Sequence, residues 1–393
     1  TINYFMKKFL SLVIAAMAIC PSVFAAEVAE AEAAAEAAPQ QSTVEKILAK
    51  MPKVSGYLQT GWNYTSNDKA TSSSFQAKRL RLIVDGNVGS KVSFRLQIEA
   101  FNGIAGSTNG NGQKNIQVMD AFATWAPLDA FKIRAGQFYT PLGYENYDIS
   151  PATLETVDFS NIVYRMACRN PYEYNLVDYG RDLGVMFMGD VGDSGKGFKY
   201  FHYDVALTNG SIPCKDDTNK SKDIYLSATI RPFKNFNIKG TFNWGEYTST
   251  KLAGGTGAAS TVEGAANKYN PMTRCVVGAW YNDPNGIDIR GEYGFMNSKV
   301  KGEKVVEERG AYALVGYHAG KWLPVIRWDM YKDNINPLSA NNYNRILLGC
   351  TFQPIANVKV QLNYGLSLYN KDVETALGYN KHHQIQLMGL FKF

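Results

Sequence analysis

The closing segment His382-His383-Gln384-Ile385-Gln386-Leu387-Met388-Gly389-Leu390-Phe391-Lys392-Phe393 alternates with a period of two up to an aromatic end. Ile385, Leu387, Phe391 and Phe393 fall on one face, interrupted by Gly389, while His382, Gln384, Gln386 and Lys392 fall on the other. At the rim of an open sheet such a strand offers an unpaired, sticky edge, which soluble domains avoid. Closing the sheet into a barrel removes the edge. The pattern recurs upstream. Val92-Ser93-Phe94-Arg95-Leu96-Gln97-Ile98-Glu99-Ala100 sets five apolar side chains against a wholly polar face, and Val358-Lys359-Val360-Gln361-Leu362-Asn363-Tyr364 and Ile287-Asp288-Ile289-Arg290-Gly291-Glu292-Tyr293 repeat it. Apolar-out, polar-in strands of about ten residues suit a barrel with lipid outside and water inside. The predicted fold class is therefore all-β: a transmembrane antiparallel up-and-down β-barrel.

The other end of the chain fits export. Lys7-Lys8, the apolar stretch 9–19 and Val23-Phe24-Ala25 form a secretory signal peptide cut after Ala25, with residues 1–5 lying upstream of Met6. The apolar stretch falls well short of the roughly 20 residues a spanning helix needs. Cys20 is a poor lipidation site, because Ile19 stands where a small residue is expected and Pro21 follows. Residues 26–52 read as an Ala/Glu-rich periplasmic leader, in which Ser42-Thr43-Val44-Glu45 caps a short helix that Pro52 ends. The barrel is expected over residues 53–393. A lipid-facing terminal Phe resembles the signal by which the assembly machinery of the outer membrane recognises barrel proteins.

Connectors alternate between two classes. Short ones lie at 85–90, 126–130, 190–197, 231–235, 282–286, 319–324 and 353–357; long polar ones lie at 66–74, 102–115, 139–180, 209–223, 248–270, 298–308, 333–343 and 370–381. Together they join sixteen strands, with the turn-rich short set periplasmic and the long set extracellular. The third long connector, 139–180, exceeds what a structureless link in a compact fold needs and is read as functional or mobile. The abundance of Tyr and Phe, 24 and 20 residues, supplies aromatic girdles.

Charge excludes some partners. After removal of Lys7 and Lys8 with the signal, 39 cations face 35 carboxylates, and no clustered basic stripe marks a nucleic-acid surface. Strand parity turns Arg79, Arg81, Arg95, Lys132, Arg134, Lys239, Arg290, Arg327 and Lys359 inward as pore-lining cations, with Glu99, Asp120, Asp204, Asp288, Glu292 and Asp329 among them. Rings of Arg or Lys select anions, although neighbouring carboxylates neutralise many such cations. Catalysis finds little support. His202, His318, His382 and His383 are the only histidines, and the adjacent pair points to opposite faces of its strand, a poor metal site. No enzyme, metal or cofactor is expected. Of the cysteines left after Cys20, Cys275 and Cys350 lie within strands, whereas Cys168 and Cys214 lie in polar connectors within which a disulfide is possible.

Several segments carry a family resemblance. Phe75-Gln76-Ala77-Lys78-Arg79-Leu80-Arg81-Leu82-Ile83-Val84-Asp85-Gly86 is similar to an early strand of the phosphate-selective porin O/P family, as is Phe94-Arg95-Leu96-Gln97-Ile98-Glu99. Asp120-Ala121-Phe122, Gly136-Gln137-Phe138, Thr140-Pro141-Leu142-Gly143-Tyr144-Glu145 and Gly180-Arg181-Asp182-Leu183-Gly184-Val185 resemble the segments flanking that family's third loop. The resemblance implies a trimeric sixteen-stranded anion channel, with phosphate or polyphosphate as ligand. It also implies that 139–180 folds into the lumen as a constriction loop bearing Tyr139, Arg165 and Arg169. Tyr139 stands where many relatives carry Lys, which weakens the expectation of phosphate selectivity.

The expected function is passive diffusion of small hydrophilic solutes across the outer membrane of a Gram-negative bacterium, with a weak preference for anions. Expected partners are outer-membrane lipid and lipopolysaccharide, the barrel-assembly machinery through the last strand, small anionic or neutral solutes, and two further copies in a homotrimer. The alternatives are a low-conductance barrel serving as surface receptor or adhesin, and a soluble secreted β-sandwich binding protein.

Overall fold

The computed structural model describes residues 51–101, 116–167, 180–210, 214, 221–247, 252–254, 258–260, 270–300, 303–334, 337–338 and 340–393. The strands are β1 (Lys53–Ser66), β2 (Thr71–Val88), β3 (Val92–Glu99), β4 (Gln117–Leu128), β5 (Phe131–Tyr139), β6 (Arg181–Asp193), β7 (Lys199–Thr208), β8 (Asp223–Phe233), β9 (Phe236–Tyr247), β10 (Leu252–Gly254), β11 (Ala258–Ser260), β12 (Asn270–Asn282), β13 (Ile287–Val300), β14 (Glu303–Tyr317), β15 (Trp322–Asp333), β16 (Tyr343–Ile355), β17 (Val358–Leu368) and β18 (Lys381–Lys392). β10 and β11 form a separate hairpin; the other sixteen form one closed antiparallel barrel in which sequence neighbours pair, β9 pairs with β12 and β1 pairs with β18. A single closed sheet overturns the soluble-sandwich alternative. Among the described residues no helix is long and apolar enough to cross a membrane.

The barrel is inverted relative to a soluble protein. Leu96 and Leu362 are 43 % and 50 % exposed on the outside, while their neighbours Gln97 and Gln361 are 5 % and 0 % exposed on the inside. That polarity suits lipid around the wall. The seam is closed at residue level. Tyr57 stands opposite Lys392 and Ser66 opposite His383; beyond them Gly56 N donates to Phe393 O and Phe393 N to Gly56 O, both at 3.0 Å. A Cβ on Gly56 would sit 2.6 Å from the Phe393 ring, so only glycine admits the ring there. Deleting Phe393 removes both hydrogen bonds, each contributing about 1 kcal/mol. Such a variant should be secreted normally but yield less heat-modifiable barrel in outer-membrane fractions, and an undiminished yield would show that the seam does not need it.

Some connectors differ from the sequence expectation. The first long one, 66–74, is a tight turn at 67–70 in which Asn67 Oδ1 accepts from Lys69 N and Ala70 N at 2.9 Å each; the Thr71-Ser72-Ser73-Ser74 run, loop-like in composition, pairs with β1. The sixth shrinks in the same way, because β13 and β14 stay paired to Val300 and Glu303. The last one holds a helix, α2 below, that strand periodicity conceals. The residues assigned to signal peptide and leader, and Cys168, lie outside the described residues, apart from Met51 and Pro52.

Among the described residues, two short helices and one π-helical turn interrupt the connectors: α1 (Tyr144–Tyr147), the turn Ile162–Ala167, and α2 (Lys371–Leu377). α2 is capped by Asn370, whose Oδ1 accepts from Val373 N at 2.9 Å, and ends at Gly378 with φ 74°. α1 and the π-helical turn belong to the third long connector, whose residues 139–167 fold into the lumen.

Candidate pore and constriction loop

The neck of the third long connector is built from the resembling segments. Gly136 (φ 125°) lets β5 approach β4, where a Cβ would lie 2.2 Å from Ala121 O. Arg181 at the loop exit donates from Nε to Asp120 Oδ1 at 2.6 Å and lies 3.5 Å above the centroid of the Tyr139 ring. Asp182 accepts from Thr208 Oγ1 at 2.7 Å and Gly210 N at 2.8 Å. The Asp120, Tyr139, Arg181 and Asp182 side chains therefore tie the two ends of the loop to the wall.

Beyond the neck, Gly143 (φ 76°) turns three successive N–H groups toward the wall. Gly143 N donates to Thr241 Oγ1 at 3.2 Å, Tyr144 N to Glu292 Oε1 at 2.6 Å and Glu145 N to Glu292 Oε2 at 3.0 Å. A Cβ at Gly143 would meet Glu292 Oε1 at 2.9 Å. Glu145, fully buried, accepts from Ser160 N at 2.7 Å and lies 3.7 Å from Arg290 and 3.8 Å from Arg327. Burial pushes its carboxyl pKa up against the pull of those arginines.

The loop then runs around the inside of the wall. Lys239 Nζ reaches Asp148 at 2.5 Å. Arg290 pairs with Glu155. Lys359 Nζ donates to Leu154 O at 2.9 Å, and Arg327 donates to Thr156 Oγ1 at 2.8 Å and Asp158 O at 2.9 Å. Arg79 donates to Gln59 Oε1 at 2.5 Å and Val157 O at 3.4 Å. Asp158 takes Lys78 on one side and Gln386 Nε2, at 2.7 Å, on the other. Burial works against the Asp158 carboxylate, but Lys78 and Arg79 outweigh it and hold its pKa well below the usual carboxylate range. Tyr147 donates to Asp204 Oδ1 at 3.0 Å. Burial, then Asp204, raises its phenol and keeps it a donor. Leu142, Leu154, Val157, Phe159, Ile162 and Met166 are at most 3 % exposed, so the loop fills the lumen on that side with a small apolar core.

The parity-derived cations thus separate into groups. Arg79, Lys239, Arg290, Arg327 and Lys359 point inward and grip the loop instead of standing in open water. Arg81 is 2 % exposed and donates to Glu99 at 3.0 Å. Arg95 forks onto Asp85 at 2.7 and 2.9 Å, and Lys132 lies 3.3 Å from Asp190. Arg134 has no carboxylate partner among the described residues; its Nε donates to Thr124 Oγ1 at 3.1 Å, and its guanidinium lies 4.2 Å from the Phe122 ring centroid. Arg165 bonds Asn341 of the seventh long connector. Arg169 lies outside the described residues. Sequence parity missed Lys78, because a bulge at Gln59/Thr60 shifts the β1–β2 register and turns it inward beside Arg79. It also missed Arg274, which donates to Met166 O at 2.7 Å and Tyr225 OH at 2.6 Å from a strand whose inner face, Met272-Arg274-Val276, mixes polarity.

A cavity of about 960 Å³ lies between segment 147–151 of the loop and the wall from β2 to β5. Lys53, Arg81, Arg95 and Arg134 line it together with Asp85, Asp120 and Asp148. Tyr139 lines it too, at the neck.

A family model for phosphate-selective porin O and P matches residues 53–393. No curated protein sequence matches the chain. Among solved structures, the fold is similar to an anion-selective porin from Comamonas acidovorans (TM-score 0.59, 12 % identity, covering 87 % of this chain and 99 % of that one). It is also similar to Salmonella typhi OmpF in complex with daunomycin (TM-score 0.57, 11 % identity, 88 % and 99 %) and to a loop L8 deletion mutant of OmpT, an outer membrane protein of Vibrio cholerae (TM-score 0.56, 12 % identity, 87 % and 99 %). At such identities these likenesses show the fold alone. With the family model running across every wall strand, from the first residue of β1 through the β18 seam, the chain belongs to the phosphate-selective porin O and P family.

Proposed function

We propose that this porin is a passive diffusion channel of the Gram-negative outer membrane, working as a homotrimer and passing small hydrophilic solutes with a weak preference for anions. The observation that carries the preference is Arg134, a cation without a carboxylate partner among the described residues, in the cavity of about 960 Å³ beside the constriction loop. Arg81 and Arg95 line the same cavity but are neutralised by Glu99 and Asp85. The preference is therefore weak, and it rests on few residues. The Comamonas neighbour is described as an anion-selective porin and a further Vibrio cholerae OmpT structure as a trimer form, which agree with this reading. Lipid, lipopolysaccharide and the assembly machinery, met through β18, are the proposed partners of the outer surface. Phosphate, suggested by the family name, is the weaker ligand proposal because three carboxylates line the cavity.

Fixed positive charge in a narrow pore concentrates anions, and salt screens it over about 10 Å at 0.1 M. In planar bilayers, Arg134→Gln should move the zero-current potential toward cation preference at low salt and change it little at molar salt. Arg309→Gln should leave it in place, since that exposed side chain pairs with Glu307 away from the cavity. An unmoved potential in Arg134→Gln would remove the residue from selectivity. The packing of the loop into the lumen favours one alternative, a barrel of low conductance that acts through its surface connectors; single-channel conductance near zero for the wild type would establish it.

A further inference from the structure

Resting on the channel reading above, we propose that the preferred solute is a small organic monocarboxylate with an apolar body, bound through the guanidinium of Arg134. The side chain is already placed for such a ligand. Thr124 takes its Nε proton at 3.1 Å and Phe122 supports its plane at 4.2 Å, while neither terminal nitrogen bonds a described protein acceptor. Those two nitrogens form a planar fork that matches the two oxygens of a carboxylate. The Phe122 ring beneath also lowers the conformational cost of holding the fork still.

Charge in the cavity limits the ligand to one negative unit. Asp85 is matched by Arg95, Asp120 by Arg181 and Asp148 by Lys239, so these acids leave no surplus cation behind them. Arg81 is engaged by Glu99. Lys53, exposed at the start of β1, adds a solvated charge at the rim. A monoanion on Arg134 balances the interior; a dianion leaves one charge unpaired beside three carboxylates, in a partly enclosed space where such repulsion is poorly screened. Inorganic phosphate also needs more donors than one fork supplies. The apolar body has a place to lie, because Phe122, Ile83, Ile149 and Pro151 line the same cavity.

Isothermal titration of the refolded, detergent-solubilised barrel with benzoate, acetate and inorganic phosphate at mildly alkaline pH tests the site whether or not the barrel conducts. Benzoate is expected to saturate, acetate to bind more weakly for want of an apolar body, and mostly dianionic phosphate to bind least. Arg134→Gln should weaken benzoate about tenfold or more, the loss of a charge-assisted pair of hydrogen bonds. Arg134→Lys should keep the charge yet still weaken benzoate, because the fork is gone, and heat-modifiability of each variant reports its folding. Phosphate binding more tightly than benzoate, or benzoate binding unchanged in a folded Arg134→Gln, would overturn the proposal. Absent conductance with intact benzoate binding would refute the channel and leave the carboxylate site standing.

Discussion

Arg327→Met is expected to destabilise the barrel by about 3–5 kcal/mol, because removing one partner of a buried ion pair strands the other charge. Arg327 is 1 % exposed and holds Asp329 at 2.8 Å, Glu145 at 3.8 Å and three groups of the loop, the Thr156 hydroxyl and the carbonyls of Asp158 and Phe159. Methionine fills similar space but satisfies none of them. The loss should be read as a lower midpoint in a urea titration of heat-modifiable barrel. Channel recordings should become noisier as the loop leaves the wall. Adding Glu145→Gln should recover part of the stability, since it removes one of the stranded charges. A wild-type midpoint in the single variant would mean that the loop is held without this clamp.

Leu96→Arg should cost roughly 2–4 kcal/mol if the site lies near the bilayer midplane, while Gln97→Arg should be tolerated. Leu96 faces outward from the middle of β3, and Gln97 faces the cavity with an amide nitrogen that has no hydrogen-bond partner among the described residues. The two positions are adjacent in sequence and differ only in the side of the wall they face. Equal refolding midpoints for the two variants would place β3 outside the bilayer.

Much of the wall was legible because alternation along a strand directly encodes which side is wet. Residues 92–100 show no fault in that alternation, and parity placed Leu96 outside and Gln97 inside as the barrel has them. Closure was legible from the β18 pattern. The part played by the inward cations was not. Parity gives the direction of a side chain but not what meets it there, and for Arg79, Arg290, Arg327 and Lys359 that is a loop segment distant in sequence. Lys78 escaped for another reason: a bulge breaks the period of two at the residue where the loop needs a second cation. α2 carries ordinary signals, Asn370 before it and Gly378 after it, which a search for alternation passes over. The resembling segments around the third loop were correctly grouped by their order, yet their chemistry, a set of clamps at the neck and one buried glutamate, emerges only when Asp120 meets Arg181 and Glu145 meets Arg290 and Arg327.

The position of Asp158 has a consequence for the order of assembly. Its carboxylate joins Lys78 of β2 to Gln386 of β18, the two strands that flank β1 and therefore straddle the seam. Its partner in β18 lies 228 residues further along the chain. The loop is made early and finds seats on β7, β9, β12 and β13, but the part around Leu154 and Asp158 is completed only by Lys359 and Gln361 of β17 and Gln386 of β18. Capture of that part and seam closure are thus expected to occur as a single late event, with Asp158 as a keystone. A barrel that zips shut with its loop left outside would forfeit that stone, which gives the nascent wall a built-in bias against closing empty.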